Sequence, residues 1–521
     1  MNYVIGIDTG TTGVKAKVYD LTGAIMAEAY REYGCVYPQP GWVEQDINML
    51  SRSNEEVLRE AIEKSGVDPK DIKSIGFSTQ RALHLYIDDQ GRLLRDGMGL
   101  SWQDARCAAE VDWIRNELGT EYYYQTTGMP PSVVWSAPHI MWMQKHEPEV
   151  FARTARVLNT QEWFLHEMGA KDGWYQDYPN GSLFGLMNAR TFEWDTELCA
   201  KMGIDPALLS TLVPSGTQVG VVDAQASART GLAEGTPLVT GGGDQACGAV
   251  GAGVVATGVA EVTLGTSGVA IAHYDEPRFD PGCAIACEAS AIAGERKWVA
   301  EGLTNAAAAS YRWFRDKIGY IGRMVQMLGG DVDFDILNRM ADKVPAGSQG
   351  LLYLPYLAGS QTPNFDAEAR GGFLGLTLTH GTGAMARAVM EGVAFEMRDI
   401  LETFTGMGTQ VDEIRLSGGA TKSPLWCQIQ TDIYRRPTLA LKEGECAVLG
   451  AAMLGAVGAG VFSSMGEAVD SMVQVTSTYE PNEAVGERYD EIFAIFRQVY
   501  KSLAAGGVYK SISAFQSKYA E

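Results

Sequence analysis

Two aspartates stand where an acid is costly. Asp8 closes the apolar run YVIGID and leads into the turn TGTTG, and Asp244 lies in LVTGGGDQACGAVGAG among glycines and small apolar residues. A carboxylate at a buried strand end costs free energy unless it is hydrogen-bonded, paired or bound to a metal. Taken singly, each reads as a cap for the backbone N–H groups that follow it. Taken together, at the ends of two strands assigned to two lobes, they suit phosphoryl transfer. One of the two would hold a metal through water and the other would take the acceptor's proton, which leaves both Asp8 and Asp244 as candidate metal groups.

Three Gly/Thr/Ser turns accompany them: GTTG at 10–13, GTSG at 265–268 and SGGATKSP at 417–424. Each follows a strand-like run, and the last opens a helix whose free N–H groups and positive end suit a phosphate. Any one of them could be a plain hairpin or loop; three in one chain point to nucleotide binding. Neither GxxxxGK[ST] nor a helix-opening GxGxxG with an acid about 20 residues on is present, which disfavours the two commonest nucleotide folds. A further cluster, FSTQRALHLYIDDQGR followed by SWQDARC, brings Gln80, Arg81, His84, Trp102, Gln103, Asp104 and Arg106 close in sequence. Amides, an acid and an indole suit a polyhydroxy ligand. The same stretch also reads as a solvated helix start in which Arg106 pairs with a neighbour.

The elements that must position these groups are legible in the periodicity. YVIGID, VKAKVYD and AIMAEAY predict three meandering strands, NMLSRSNEEVLREAIEKSG an amphipathic helix, and IKSIGFS a buried strand. In the second half, GTPLVTGGGD predicts a strand, QACGAVGAG a helix start, and GVAEVTLGTSGVAIAHY two strands around the GTSG turn. DTGTTG thus has an approximate echo in LGTSG, which predicts two similar α/β lobes. The boundary is placed near residue 231, in DAQASARTGLAEG, giving lobes of residues 1–231 and 232–521. VDEIRLSGGA predicts a strand entering a glycine turn, and residues 381–404, 423–434, 445–458 and 483–505 predict helices.

Composition narrows the function classes. A chain of 521 residues with 46% hydrophobic and 20% charged residues has room for two cores. Its 42 basic against 64 acidic residues give a net charge of −22, which disfavours nucleic acid and anionic membranes as partners. Eight scattered cysteines form no disulfide or zinc pattern, and Cys283 and Cys287 read as packing residues. His139, His166 and His380 read as surface or helix-end residues, and most tryptophans as packing, with Trp102 and Trp42 the candidates to meet a ligand. No run approaches the roughly 20 apolar residues of a membrane span. MNYVIGIDTG shows no signal-peptide pattern, so a reducing cytoplasm is expected.

The matching pieces GIDTGTTGVKA, PGWVEQD, WQDAR, GGGDQACGAVGAG, VTLGTSG, GGFLGLTLTHGTGAMARAVMEGVAF, LSGGATKSPLWCQIQTDIYRRP and ECAVLGAAMLGAVGAG occur in the order found in one family. The chain resembles, from end to end, the FGGY carbohydrate kinases, most closely xylulose kinases and autoinducer-2 kinases. The resemblance implies two actin-like, ribonuclease H-like α/β lobes with a cleft between them, ATP and Mg²⁺ as cofactors, a small sugar or polyol acceptor, and a homodimer as the common assembly. It implies Asp244 as general base and Asp8 as support for metal and phosphates. Thr11, Thr12 and Lys15 would lie near the transferred phosphate, Gly265 and Thr266 near the nucleotide phosphates, and Gly418, Gly419 and Ala420 at the adenosine. Gln80, Arg81, Trp102, Asp104 and Gln245 would hold the acceptor.

The departures concern the acceptor. Xylulose kinases carry Gln-Met-His-Gly where this chain has Gln80-Arg81-Ala82-Leu83. Glycerol kinases carry Gln-Arg-Glu there, and an Arg in place of Lys15. The expectation is a xylulokinase-like enzyme, with an autoinducer-2 kinase or a glycerol- or tetritol-type polyol kinase as the alternative. A more distant alternative is an actin-like ATPase switch without a sugar acceptor.

Overall fold

The computed structural model describes residues 2–329 and 333–519. They form two compact units: one of Met1–Val255, His273–Val299 and Glu445–Gln474, the other of Ala256–Ala272, Ala300–Gly444 and Val475–Glu521.

In the first unit, Tyr3–Thr9, Gly13–Asp20 and Ile25–Glu32 form the expected antiparallel meander. Ile72–Thr79 joins it in parallel beside the first strand, Pro237–Gly243 in parallel beside that, and Gln218–Val221 antiparallel at the edge. Alternation sorts the faces: Ile5 and Ile7 pack with the helix Ile47–Ser65, while Val4 joins a cluster with the helix Cys446–Gly458. The helix Ile47–Ser65 follows from its sequence, capped by the Asp46 carboxylate at the start and ended by Gly66 in the left-handed conformation. Glycines let Cys446–Gly458 lie directly on the sheet; a Cβ on Gly6 would stand 2.0 Å from the Val448 carbonyl oxygen.

In the second unit, Gly258–Leu264 pairs antiparallel with Gly268–Tyr274, parallel with Val411–Ser417, and Thr438–Leu441 continues in parallel to an antiparallel edge strand, Val475–Tyr479. The same plan therefore recurs: a Gly/Thr hairpin first, then two parallel strands. The helices Thr382–Gly406, Pro424–Tyr434, Cys446–Gly458 and Glu483–Ala505 fall within two residues of their expected bounds.

The boundary expected at residue 231 does not hold. Pro237–Gly243, expected to open the second lobe, belongs to the first unit's sheet, and the helix Cys446–Gly458 packs in the first unit too. Composition marks polar loops, but sheet membership depends on strand pairing across long sequence separations, which composition does not carry. Asp8 and Asp244 consequently end two strands of one sheet, rather than equivalent strands of two. Among the described residues no helix is long and apolar enough to cross a membrane.

Candidate active site

Register places the first group of side chains. Asp8 stands opposite Lys15 on one neighbouring strand and opposite Ser78 on the other, with Gly242 opposite Ser78 one strand further. The Ser78 hydroxyl donates to Asp8 Oδ1 at 2.6 Å. Burial pushes the Asp8 carboxyl up to about 7; the Ser78 hydrogen bond and Lys15 oppose this, and the charges of Asp244 and Glu445 add to it. Asp244 is thus near enough to be felt electrostatically by Asp8. Glu445, just before the helix Cys446–Gly458, takes Lys15 with one oxygen and Lys17, at 2.8 Å, with the other. Burial would raise its carboxyl, but the two lysines outweigh that and hold it below the usual range.

Asp244 is the first residue of the helix Asp244–Ala252, and its Oδ1 accepts from the Gln245 N–H at 2.8 Å. Its side chain is 34% exposed. Arg81 Nε lies 3.4 Å from the same oxygen, and Arg81 Nη1 lies 3.4 Å from Glu288 Oε2. The glycine before the acid makes this possible, because a Cβ on Gly243 would lie 2.7 Å from Arg81 Cγ.

The Gly10–Gly13 turn is held from outside. The Gln45 amide donates to the Thr11 carbonyl at 2.8 Å, Trp102 Nε1 to Thr11 Oγ1 at 2.9 Å, and the Tyr33 hydroxyl to the Gly10 carbonyl at 2.6 Å; Tyr33 N–H meets the Thr12 carbonyl at 3.1 Å. Gln80 sits one layer behind, buried, its amide donating to Gln45 Oε1 at 2.9 Å. Trp102 is partly exposed beside the turn.

Asp104 is placed differently from its expected role. It and Arg106 are both 0% exposed and paired at 2.8 Å, and Asp104 Oδ2 accepts the Val43 N–H at 2.6 Å. The Arg106 guanidinium stacks 3.9 Å from the Trp42 ring and 5.1 Å from the Trp142 ring, so Trp42 serves packing instead of facing a ligand. His139 is a second correction: it is buried against His84, ring centroids 4.5 Å apart, and burial lowers it to about 4, so the pair stays neutral. Asp104→Ala would leave the buried Arg106 guanidinium with Glu44 as its remaining carboxylate and the Val43 N–H without its acceptor, and should destabilise the protein by about 2–3 kcal/mol. Urea unfolding checks this; unchanged stability with a raised acceptor KM would instead place Asp104 at the acceptor.

The remaining predicted residues lie in the second unit. The helix Ala308–Lys317 starts against the GTSG turn, with Ala308 N–H on the Gly265 carbonyl at 2.9 Å and Ala307 N–H on the Thr266 carbonyl at 3.1 Å. Gly418 takes φ +81°, and a Cβ there would lie 2.7 Å from the Leu264 carbonyl oxygen, which brings the SGG turn beside the GTSG strand. Beyond it opens a cavity of about 370 Å³ lined by Ala308, Tyr311, Asn338, Gly419, Ala420 and Trp426 among others. The Tyr311 ring lies 5.3 Å from Trp426 and stacks 5.6 Å from Phe334. An aromatic-walled cavity bordered by the 417–420 glycine turn suits a nucleoside.

Sequence reasoning missed Ser78, Glu288, Glu445 and Tyr311. Ser78 and Glu445 lay inside recognised segments but carried no signal of facing Asp8, while Glu288 and Tyr311 lie far from every motif. All eight cysteines are free, and no cluster of three or more His, Cys, Asp or Glu that could hold a metal occurs among the described residues.

Residues 3–251 match the N-terminal domain, and residues 260–459 the C-terminal domain, of the FGGY family of carbohydrate kinases. A xylulose kinase of Bacillus subtilis (strain 168) is 30% identical over 502 residues, 96% of this chain and 97% of the relative. A gluconokinase of Bacillus licheniformis is 28% identical over 509 residues, 96% of each chain. The crystal structure of xylulose kinase from Rhodospirillum rubrum superposes with a TM-score of 0.86 at 26% identity, covering 97% of this chain and 99% of that one. Two actin-like, ribonuclease H-like domains are the fold of such neighbours, and the chain belongs to the FGGY family of carbohydrate kinases.

Proposed function

We propose that this sugar kinase transfers the γ-phosphoryl group of ATP to a hydroxyl of a small neutral ketose, as a xylulokinase-like enzyme. The observation that carries the reading is Asp244: a partly exposed carboxylate at a helix start, with one oxygen held by the Gln245 N–H and the Arg81 guanidinium. Its other oxygen is oriented by these contacts to accept the acceptor proton. Arg81, Gln245 and Trp102 bind the acceptor around it, while Gln80 and Gln45 brace the Thr11–Thr12 turn from behind.

Carboxylate oxygens at Asp8 and Asp244 are the hard donors that Mg²⁺ takes, usually through retained waters, so the residues present fit that ion. ATP supplies the phosphoryl group and Mg²⁺ offsets charge on its oxygens. Asp8 would anchor the ion, Lys15 and the Thr11–Thr12 turn would hold the transferred group, Gly265 and Thr266 the other phosphates, and the cavity at Gly418, Gly419 and Ala420 the nucleoside. The xylulose kinase relatives support a pentulose acceptor.

Coupled ADP release tests this across D-xylulose, D-ribulose, glycerol, erythritol, D-gluconate and the autoinducer-2 precursor, with ATP and Mg²⁺ present. The highest kcat/KM is expected on a pentulose. A preference for glycerol, erythritol or the autoinducer-2 precursor would move the assignment to that alternative. ADP release independent of every acceptor would replace the kinase reading with an ATPase switch.

A further inference from the structure

Glu288 lies on the short strand Ala286–Ala289, far in sequence from every motif that marks the site, yet it meets Arg81 at Nη1 while Asp244 faces the same guanidinium at Nε. Its side chain is 5% exposed against 19% for Arg81. A carboxylate so buried is tolerated when a cation faces it, and Arg81 Nη1 lies 3.4 and 3.5 Å from its two oxygens. Arg81 is thereby shared: Nε serves Asp244 and Nη1 serves Glu288.

The charge count of this trio is one guanidinium against two carboxylates, a net −1. We infer that Glu288 is a positioning and specificity residue that neutralises Arg81 at Nη1, so that the acceptor site admits neutral ketoses and rejects sugar acids. The inference rests on the kinase reading of Asp244 and Arg81 above. An arginine in a sugar site is by itself an invitation to a carboxylate, since its planar fork matches carboxylate geometry with two parallel hydrogen bonds. Here one arm of that fork is engaged by Glu288, and an aldonate would bring a third negative charge beside Asp244 and Glu288. Discrimination of this kind works by repulsion of the wrong ligand as much as by attraction of the right one. It bears directly on the acceptor, because both a xylulose kinase and a gluconokinase match this chain over nearly its whole length.

The test compares kcat/KM for D-gluconate with that for D-xylulose in the wild type, Glu288→Gln and Glu288→Asp. The amide keeps the shape and removes the charge, so Glu288→Gln should raise the gluconate-to-xylulose ratio at least tenfold, and Glu288→Asp should hold it within about threefold of wild type. Because each ratio is internal to one preparation, a partly unfolded variant does not move it. Should Glu288→Gln fail to fold, the wild type still decides: D-gluconate should inhibit xylulose phosphorylation at least tenfold more weakly than neutral D-glucitol of the same carbon number. An unchanged ratio in Glu288→Gln, equal inhibition by the two compounds, or a wild-type preference for gluconate would overturn the inference while leaving the kinase intact. Absence of phosphorylation of any sugar by the wild type would overturn the kinase reading itself.

Discussion

Asp244→Asn should lower kcat by about two to four orders of magnitude with acceptor and nucleotide saturating, while leaving KM for the nucleotide near its wild-type value. A positioned general base contributes about 10²–10⁴ in rate, which corresponds to roughly 3–5 kcal/mol of barrier. The substitution preserves shape, and the Asn oxygen can still accept the Gln245 N–H, so the helix start has no reason to move. What disappears is the charge that Arg81 Nε faces at 3.4 Å and the basic oxygen that takes the acceptor proton. In a loose phosphoryl-transfer transition state the acceptor proton leaves late, so the orientation of Asp244 outweighs its strength as a base. Near-normal kcat in this variant would remove Asp244 from the chemistry. The same variant has a second readout. Burial raises the Asp8 carboxyl most, and the Asp244 charge adds to it in bringing it to about 7, so removing that charge should move the Asp8 titration to lower pH. The protonated carboxyl band in the infrared would then disappear at a lower pH than in the wild type; an unmoved band would mean that the two acids do not sense each other.

The sequence carried the parts of this site that depend on local pattern. Strand periodicity and glycine turns located the 265–268 and 417–420 segments, and the helices from Thr382 onward appeared where 3.6-residue periodicity put them. What it did not carry is pairing. The polar stretch near 231 looked like a lobe boundary, whereas Leu238 pairs across to Ile75 in the first unit's sheet, an alignment that no local composition encodes. For the same reason the sequence places the acids on equivalent strands of two lobes, whereas register sets Asp8, Ser78 and Gly242 level on adjacent strands of one sheet. Asp104 shows a different limit. Trp-Gln-Asp-Ala-Arg offers donors and acceptors suited to a sugar, but the Asp104 oxygens are taken by Arg106 and the Val43 N–H, and Arg106 packs against two indoles from distant segments. Residue type announces polar capacity; which partner uses it is decided by packing.

The glycines around Asp244 lead to the second large effect, a loss of stability in Gly450→Val. Within the first unit the helices Asp244–Ala252 and Cys446–Gly458 touch backbone to backbone. A Cβ on Gly450 would lie 1.9 Å from the Cys247 carbonyl oxygen and 2.8 Å from its carbon, and a Cβ on Gly251 would lie 2.0 Å from the Cys446 carbonyl oxygen. These neighbours are main chain, so no rotamer change relieves the clash and the helices must separate. Overpacking a core costs about 1–3 kcal/mol where side chains can yield, so a clash with fixed backbone should reach about 3 kcal/mol or more. Gly444→Ala is the control: a Cβ there meets nothing within 4 Å, and its effect should stay within about 0.5 kcal/mol. Urea unfolding of both variants gives the comparison. The consequence extends to the site, because one of these helices begins at Asp244 and the other follows Glu445, which holds Lys15 and Lys17. Whatever fraction of Gly450→Val folds should therefore show a lowered kcat as well. Wild-type stability in Gly450→Val would mean that the helices do not pack at this distance, and that the small residues flanking Asp244 serve some purpose other than close approach.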